Sequence, residues 1–443
     1  MNSIFRRIFR TALLLLLPLL ILGVFSPGIR AQETDLEPGD SLLTDSEDPG
    51  FDEQPEQKKP IFEGRIDLNL IARGINNKAR FNPDNEIMEL NGTRQTVETL
   101  LSLSDYPDEE RVWRWLLKVH GYRLFESESI STEDKDETRI DELFVDWSSE
   151  NWFASLGKRR NSWGPALAFN PVNVVVPPRD PLRPDQQTEG QPLFLVNFSS
   201  DSIALDLLLT RDYDREWFGR YARWGGRFAL ILEGMDVAVY YFDGESDEND
   251  VAYNTMTGFS YSGNFLNDSV LYLELATFSR NTRNYYTESG SVVTRDENVG
   301  KGVIGSNTTL DGNTSLLVEV YHNTAGYSAE EREAYFNTVD SVVLPVPDYT
   351  RFGILDDFQF SEMNRNYLLV SYRQSDILDK LTLVIQLLGA EDGSSVSELE
   401  CDYNLSDFYK LSVNTKYYGG DENSEFGNYY VKSELTIGIS ASI

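Results

Sequence analysis

From Ile61 to the end of the chain, apolar and polar residues take turns. In the last run Val431, Ser433, Leu435, Ile437 and Ile439 share one parity, while Lys432, Glu434, Thr436, Gly438 and Ser440 share the other. A β-strand points successive side chains to opposite faces, so such a run predicts a strand with one apolar and one polar face. The pattern recurs along the chain. Ile203, Leu205, Leu207 and Leu209 interleave with Ala204, Asp206 and Leu208; Leu271, Leu273 and Leu275 with Tyr272, Glu274 and Ala276; Leu316, Val318 and Val320 with Leu317, Glu319 and Tyr321. Leu399, Cys401 and Tyr403 alternate in the same way with Glu398, Glu400, Asp402 and Asn404. The body of the protein is predicted to be all-β.

Alternation alone fits a soluble sandwich as well as a transmembrane barrel. The connections separate the two. Tight turns such as Gly263 to Asp268, Leu310 to Asn313 and Leu405 to Asp407 alternate with long polar stretches, Asn281 to Val299, Thr324 to Glu362 and Gly419 to Asn428. Short turns at one end and long loops at the other are the pattern of outer-membrane barrels, whose long loops face outside the cell. The runs give a transmembrane antiparallel β-barrel of 18 strands, 16 being the neighbouring even count. This parity requires Gln191 to Phe198 to be a strand and Ser199-Ser200-Asp201 a periplasmic turn. Trp113, Trp115, Trp147, Trp152, Tyr429 and Tyr430 fall near strand ends, where interfacial girdles sit. Closure satisfies every backbone group and lipid solvates the apolar outer face.

The first 31 residues are expected to be a secretory signal peptide. Arg6, Arg7 and Arg10 precede an apolar run from Ala12 to Val24, which is too short for a spanning helix, and small Ala31 marks the cut. Residues 32–60, acidic and broken by Pro38, Pro49, Pro55 and Pro60, are expected to be a disordered periplasmic tether, which leaves 61–443 for the barrel. The full chain has 39 basic and 72 acidic residues; cleavage removes four arginines and no acid, leaving 35 bases and a charge of −37. Such a balance excludes nucleic acid as a partner, because phosphate binding needs a basic surface. The lone Cys401 gives no disulfide framework, and its strand parity puts it among lipid-facing residues.

If the polar faces line the lumen, the lining is mixed. Its acids include Glu98, Glu142, Asp146, Asp206, Glu274, Glu319 and Glu398, and its bases Arg114, Lys118, Arg159, Arg227, Arg373 and Lys416. Charges held inside need water or pairing, and either suits a channel.

The most distinctive segment runs Leu156-Gly157-Lys158-Arg159-Arg160-Asn161-Ser162-Trp163-Gly164-Pro165, then Phe169-Asn170-Pro171 and Pro177-Pro178-Arg179-Asp180-Pro181-Leu182-Arg183-Pro184. A strand ending in consecutive bases enters a loop whose prolines suppress ladder pairing and stiffen an extended path. Over roughly residues 151–192 it resembles the Gly-(Lys/Arg)-x-x-x-x-Trp-Gly, Asn-Pro and Pro-Arg-Asp element of porin-like outer-membrane proteins, a broad group that includes capsule-assembly barrels. The resemblance implies that residues 161–190 fold inward and narrow the pore. By the same analogy Arg159, Arg160, Arg179, Asp180 and Arg183 set the field at the constriction, with Trp163 and Asn170 holding the loop.

Enzyme chemistry has little to work with. A nucleophile needs a nearby base, and only His120 and His322 are on offer. No His/Cys set has zinc spacing and no phosphate loop is present; the acidic run Asp243 to Asp250 lacks the residue order of a calcium cage. The expected function is a passive channel for small hydrophilic solutes, with anionic ones favoured, without metal or cofactor. Its partners are then outer-membrane lipids, the solutes and the barrel-assembly machinery. The competing expectation is a plugged barrel that attaches or exports a surface polysaccharide.

Overall fold

The alternating runs pair in chain order around one closed antiparallel sheet. A computed structural model describes residues 61–442 apart from positions 81, 87–88, 107–111, 126–135, 176–179, 184–188, 212–221, 244–254, 266–267, 287–291, 339 and 341–361. The expected signal peptide, the tether and Arg179 lie outside the described residues. The first nine strands are β1 (Ile61–Ile75), β2 (Thr93–Asp105), β3 (Trp113–Leu124), β4 (Asp136–Ser148), β5 (Trp152–Arg159), β6 (Gln191–Ser199), β7 (Ile203–Arg211), β8 (Ala222–Leu232) and β9 (Met235–Asp243). The second nine are β10 (Thr255–Asn264), β11 (Ser269–Tyr286), β12 (Val292–Asp311), β13 (Thr314–Asn323), β14 (Asn366–Ile377), β15 (Leu381–Ala390), β16 (Ser395–Asn404), β17 (Tyr409–Gly419) and β18 (Val431–Ser442). β1 pairs with β2 on one side and β18 on the other, so the sheet has no free edge. The 18 strands match the expected count, including β6 and the 200–202 turn on which the parity depended.

Turns at the end where β1 begins are short, among them 200–202, 233–234, 312–313 and 378–380. At the opposite end the connections 76–92, 160–190, 324–365 and 420–430 are long, with 391–394 a short exception. On β7, Leu205, Leu207 and Leu209 are 39%, 55% and 49% exposed, whereas Ala204, Asp206 and Leu208 are all buried. The outer surface continues this way with Leu143, Leu156, Phe194, Val239, Leu275, Ile385, Leu399 and Ile437 exposed. At about 25 cal/mol per Å2, a belt of this size is unfavourable in water and favourable in hydrocarbon. Exposed Trp113, Trp152 and Tyr409 begin strands at the short-turn end, and Trp224, Tyr241 and Tyr417 lie near the long-loop end. The belt is therefore rimmed by aromatic residues on both sides. No described helix is long and apolar enough to cross a membrane.

Three local expectations change. Asn281 to Val299, expected as a loop, is largely an extended hairpin, with Asn281 opposite Glu297 and Tyr286 opposite Val292. Residues 281–284 and 294–298 of its arms are all polar, so no alternation marked it. The stretch 324–365 contains a helix, α1 (Ala329–Thr338). Ser328 caps it reciprocally: Glu331 N–H donates to Ser328 Oγ at 3.2 Å and Ser328 N–H to Glu331 Oε2 at 2.8 Å. Val431, expected on the lipid face, is buried with Leu90, Tyr285, Tyr335 and Phe336, because the register between β1 and β18 shifts at Gly74 and Ile75.

Cys401 lies opposite Leu383 and Val413, on the parity of exposed Leu399 and Tyr403, and is a free thiol. In intact membranes a lipid-soluble thiol reagent should label it and a charged maleimide should not. Rapid labelling by the charged reagent would mean a register slipped by one residue.

Candidate functional site

The segment between β5 and β6 does not extend away from the mouth. Its apolar side chains pack against the inner wall. Trp163, Val172 and Val175 join inward-facing Leu193, Leu195, Leu208, Tyr240, Phe242, Met256 and Phe278 of β6, β7 and β9 to β11 in one buried cluster. Ala166, Ala168, Phe169 and Leu182 join Tyr272, Tyr321, Tyr367, Leu388, Val396 and Tyr418 of β11 and β13 to β17 in a second. Phe169 stacks on Tyr321 with ring centroids 4.6 Å apart. The inner face of these strands is thus largely apolar at the height of the segment, and the segment covers it.

Two carboxylates fix the path. Glu274 Oε1 accepts the Ala166 N–H at 2.7 Å, and its Oε2 the Val172 N–H at 3.4 Å. Glu319 Oε1 accepts the N–H groups of Leu167 at 2.8 Å and Ala168 at 3.1 Å and the Tyr272 hydroxyl at 2.6 Å; its Oε2 accepts the Phe169 N–H at 2.8 Å. Both side chains are fully buried. An irregular segment inside a barrel must satisfy its backbone N–H groups without a ladder, and these glutamates provide the acceptors. Gly164 makes the approach achievable. Its φ of +89° suits glycine, and a Cβ there would clash with Glu274 Oε1 and Val172 Cγ2.

The arginines expected at the constriction are all paired where described. Arg159 bonds Asp146 at 2.5 Å and lies over the rings of Phe144 and Phe153, 4.7 and 5.1 Å from their centroids. Arg160 donates its backbone N–H and its Nη2 to Glu142 at 3.1 and 2.9 Å, and Lys118 reaches the same carboxylate at 3.3 Å. Arg183 sits 3.7 Å from Glu398 with its side chain 43% exposed; Lys416 bridges Glu398 at 3.3 Å and Asp180 at 3.5 Å. Arg114 faces the rings of Tyr106 and Phe144. Arg227 pairs with Asp206 at 3.1 Å on β8 and β7, apart from this group. Trp163 does not line a path: it is buried against Tyr240 and Phe242, with centroids 5.8 and 6.2 Å away. Asn170 bonds the Ala166 carbonyl within the segment at 3.3 Å.

No protein-family model matches the sequence, and no curated protein matches it. Solved structures do. A triple mutant of the Rhodopseudomonas blastica porin is 8% identical, with a TM-score of 0.44 over 87% of this chain and all of the porin. Pseudomonas aeruginosa OpdK, solved with vanillate, is 10% identical, with a TM-score of 0.48 over 86% of this chain and 98% of its own. A double variant of OccD1 (OprD) is 10% identical, with a TM-score of 0.47 over 87% of this chain and 96% of its own. The likeness is one of barrel architecture.

The sequence placed Glu274 and Glu319 on the inner face and could not name their task. Their partners are backbone N–H groups more than 100 residues away in the chain, which carry no side-chain signature. His120, without a partner in the sequence reading, bonds Glu98 Oε1 at 2.8 Å; His322 bonds Asn366 Oδ1 at 2.8 Å.

Proposed function

We propose that this protein is a porin-like channel of the outer membrane that passes small hydrophilic solutes, favouring those with a carboxylate or phosphate. The observation that carries this reading is the asymmetry of the lumen. The inward segment packs on inner-wall residues of strands from β6 to β17, while inward-facing charges on the arc of β1, β2 and the short-turn end of β17 stay in reach of solvent: the side chains of Arg65, Glu98 and Lys410 are 45%, 38% and 42% exposed, and that of Arg183 on the segment itself is 43% exposed. Charged groups that keep water define a hydrophilic route past the segment.

The anion preference rests on local charge. At the β3 to β5 corner Lys118, Arg159 and Arg160 face two carboxylates, Glu142 and Asp146. Arg183, with its long ion pair, keeps donors for a second carboxylate or a phosphate, which the planar guanidinium binds through two parallel bonds. The acidic exterior attracts cations to the mouth, but its field is screened beyond about 8 Å at physiological ionic strength. Lumen charges act at shorter range and lower effective dielectric. The reversal potential in a salt gradient should therefore indicate anion preference that grows with salt. The double substitution Arg160→Ala with Arg183→Ala should shift it toward cations. An unchanged reversal potential would remove these arginines from the solute path.

A further inference from the structure

Residues 420–430 join β17 to β18 and fold back over the mouth. Phe426 is buried in the cluster that also holds Phe169, Leu182 and Tyr418, so this segment packs with both the wall and the inward segment. Tyr429 stacks between Tyr418 and Tyr430, 4.3 and 4.5 Å from their ring centroids. At its centre lies a buried carboxylate, Glu425. Glu425 Oε2 accepts the Tyr367 hydroxyl of β14 at 2.7 Å and the Asn364 side-chain amide at 2.6 Å. The same amide nitrogen donates to Asp392 Oδ2 at 3.0 Å, and that oxygen also accepts the Glu425 backbone N–H at 2.8 Å. Two acids from different connections thus share one amide. The groups facing them from the other elements are already engaged. Arg332 of α1 bonds Asn364 Oδ1 at 2.6 Å, and Glu362 is held by Lys301 and the Tyr321 hydroxyl, each at 2.8 Å.

We propose that residues 420–430 form a proton-operated latch at the long-loop mouth: with a proton on Glu425 the segment stays seated on β14 and the 391–394 turn, and loss of that proton loosens it and uncovers the outer end of the charged arc. Burial and the neighbouring Asp392 raise the Glu425 carboxyl from 4.5 to about 7 in the seated arrangement. Because this value lies above the ordinary one, the seated form binds the proton more tightly. The proton-linked stabilisation is full below about pH 4.5 and is lost as pH rises toward about 7. Its effect on conductance rests on the channel reading; the latch itself does not.

Hydrogen exchange of the full chain in detergent tests it without reference to transport. Glu425→Gln keeps an acceptor for Tyr367 and Asn364 and removes the titration. Comparing the two proteins at each pH cancels the intrinsic pH dependence of exchange. Between pH 5.5 and 8.5 the amides of 420–430 should lose protection in the parent relative to Glu425→Gln by about tenfold or more, a shift of one pK unit being tenfold in population. Asp392→Asn, which removes the neighbouring charge, should move the midpoint to lower pH. Equal exchange in parent and Glu425→Gln at every pH, or an unmoved midpoint in Asp392→Asn, would overturn the latch. If exchange responds and bilayer conductance does not, the latch stands and its link to the channel fails.

Discussion

Glu319→Ala is expected to raise single-channel conductance and to lower the temperature at which the folded barrel is lost in detergent. The substitution removes the acceptor of three backbone N–H groups, from Leu167, Ala168 and Phe169, and of the Tyr272 hydroxyl. A buried donor left without a partner costs about 1–3 kcal/mol, so the seated segment loses about 4 kcal/mol or more. Water can satisfy those groups once the segment moves off β13. Departure from the wall is therefore the relaxation open to it, and the lumen widens as a result. Glu319→Gln should fall between parent and alanine variant, since it keeps one acceptor oxygen of two. Conductance equal to the parent's in both variants would mean that the segment does not limit the path.

Trp163→Ala should destabilise the same segment from its other end, through packing instead of hydrogen bonding. The indole is 2% exposed and fills space between β8 and β9; a Cβ on Gly225 would come within 2.9 Å of its Cη2, so glycine there makes room for the ring. Truncating a buried tryptophan costs about 3–5 kcal/mol in transfer and cavity terms. Residues 166–172 remain held by Glu274 and Glu319, so the mean conductance should rise less than in Glu319→Ala, while open-channel noise grows as the start of the segment samples more positions. Trp163→Phe should restore most of the parent behaviour. The double variant Trp163→Ala with Glu319→Ala should show less than the sum of the two losses, because both act on one docking equilibrium. Strict additivity in thermal stability would show that the two sites belong to independent units.

The barrel was legible because its strands face two solvents. Runs such as Ile203 to Leu209 alternate between lipid and interior over their length, and each tight turn marks where a run must reverse. The same physics explains the failures. Beyond the belt, the β11–β12 hairpin no longer faces lipid, and its polar residues hold no period. The bulge at Gly74 and Ile75 carries Val431 inward without any mark in the residues 431–439 themselves. In the candidate site the basic pair Arg159–Arg160 and the proline-rich segment stood out, yet their partners did not. Glu142 and Asp146 were readable as inner-face acids, but which cation each would hold depends on the β3–β4 and β4–β5 registers. The apolar inner surface under the segment was the largest surprise. Leu193, Leu195 and Leu208 look like half of an uninterrupted apolar strand, and only the folded-in segment explains why both faces are apolar there.

The central claim is that water and ions pass between the inward segment and the charged arc. Planar-bilayer recording of the purified full chain, its folded state checked by resistance to unheated detergent, tests this most directly. The account predicts discrete, reproducible conductance steps that become larger in Glu319→Ala. Folded protein that inserts into the bilayer and gives no steps, in the parent and in Glu319→Ala alike, would contradict it.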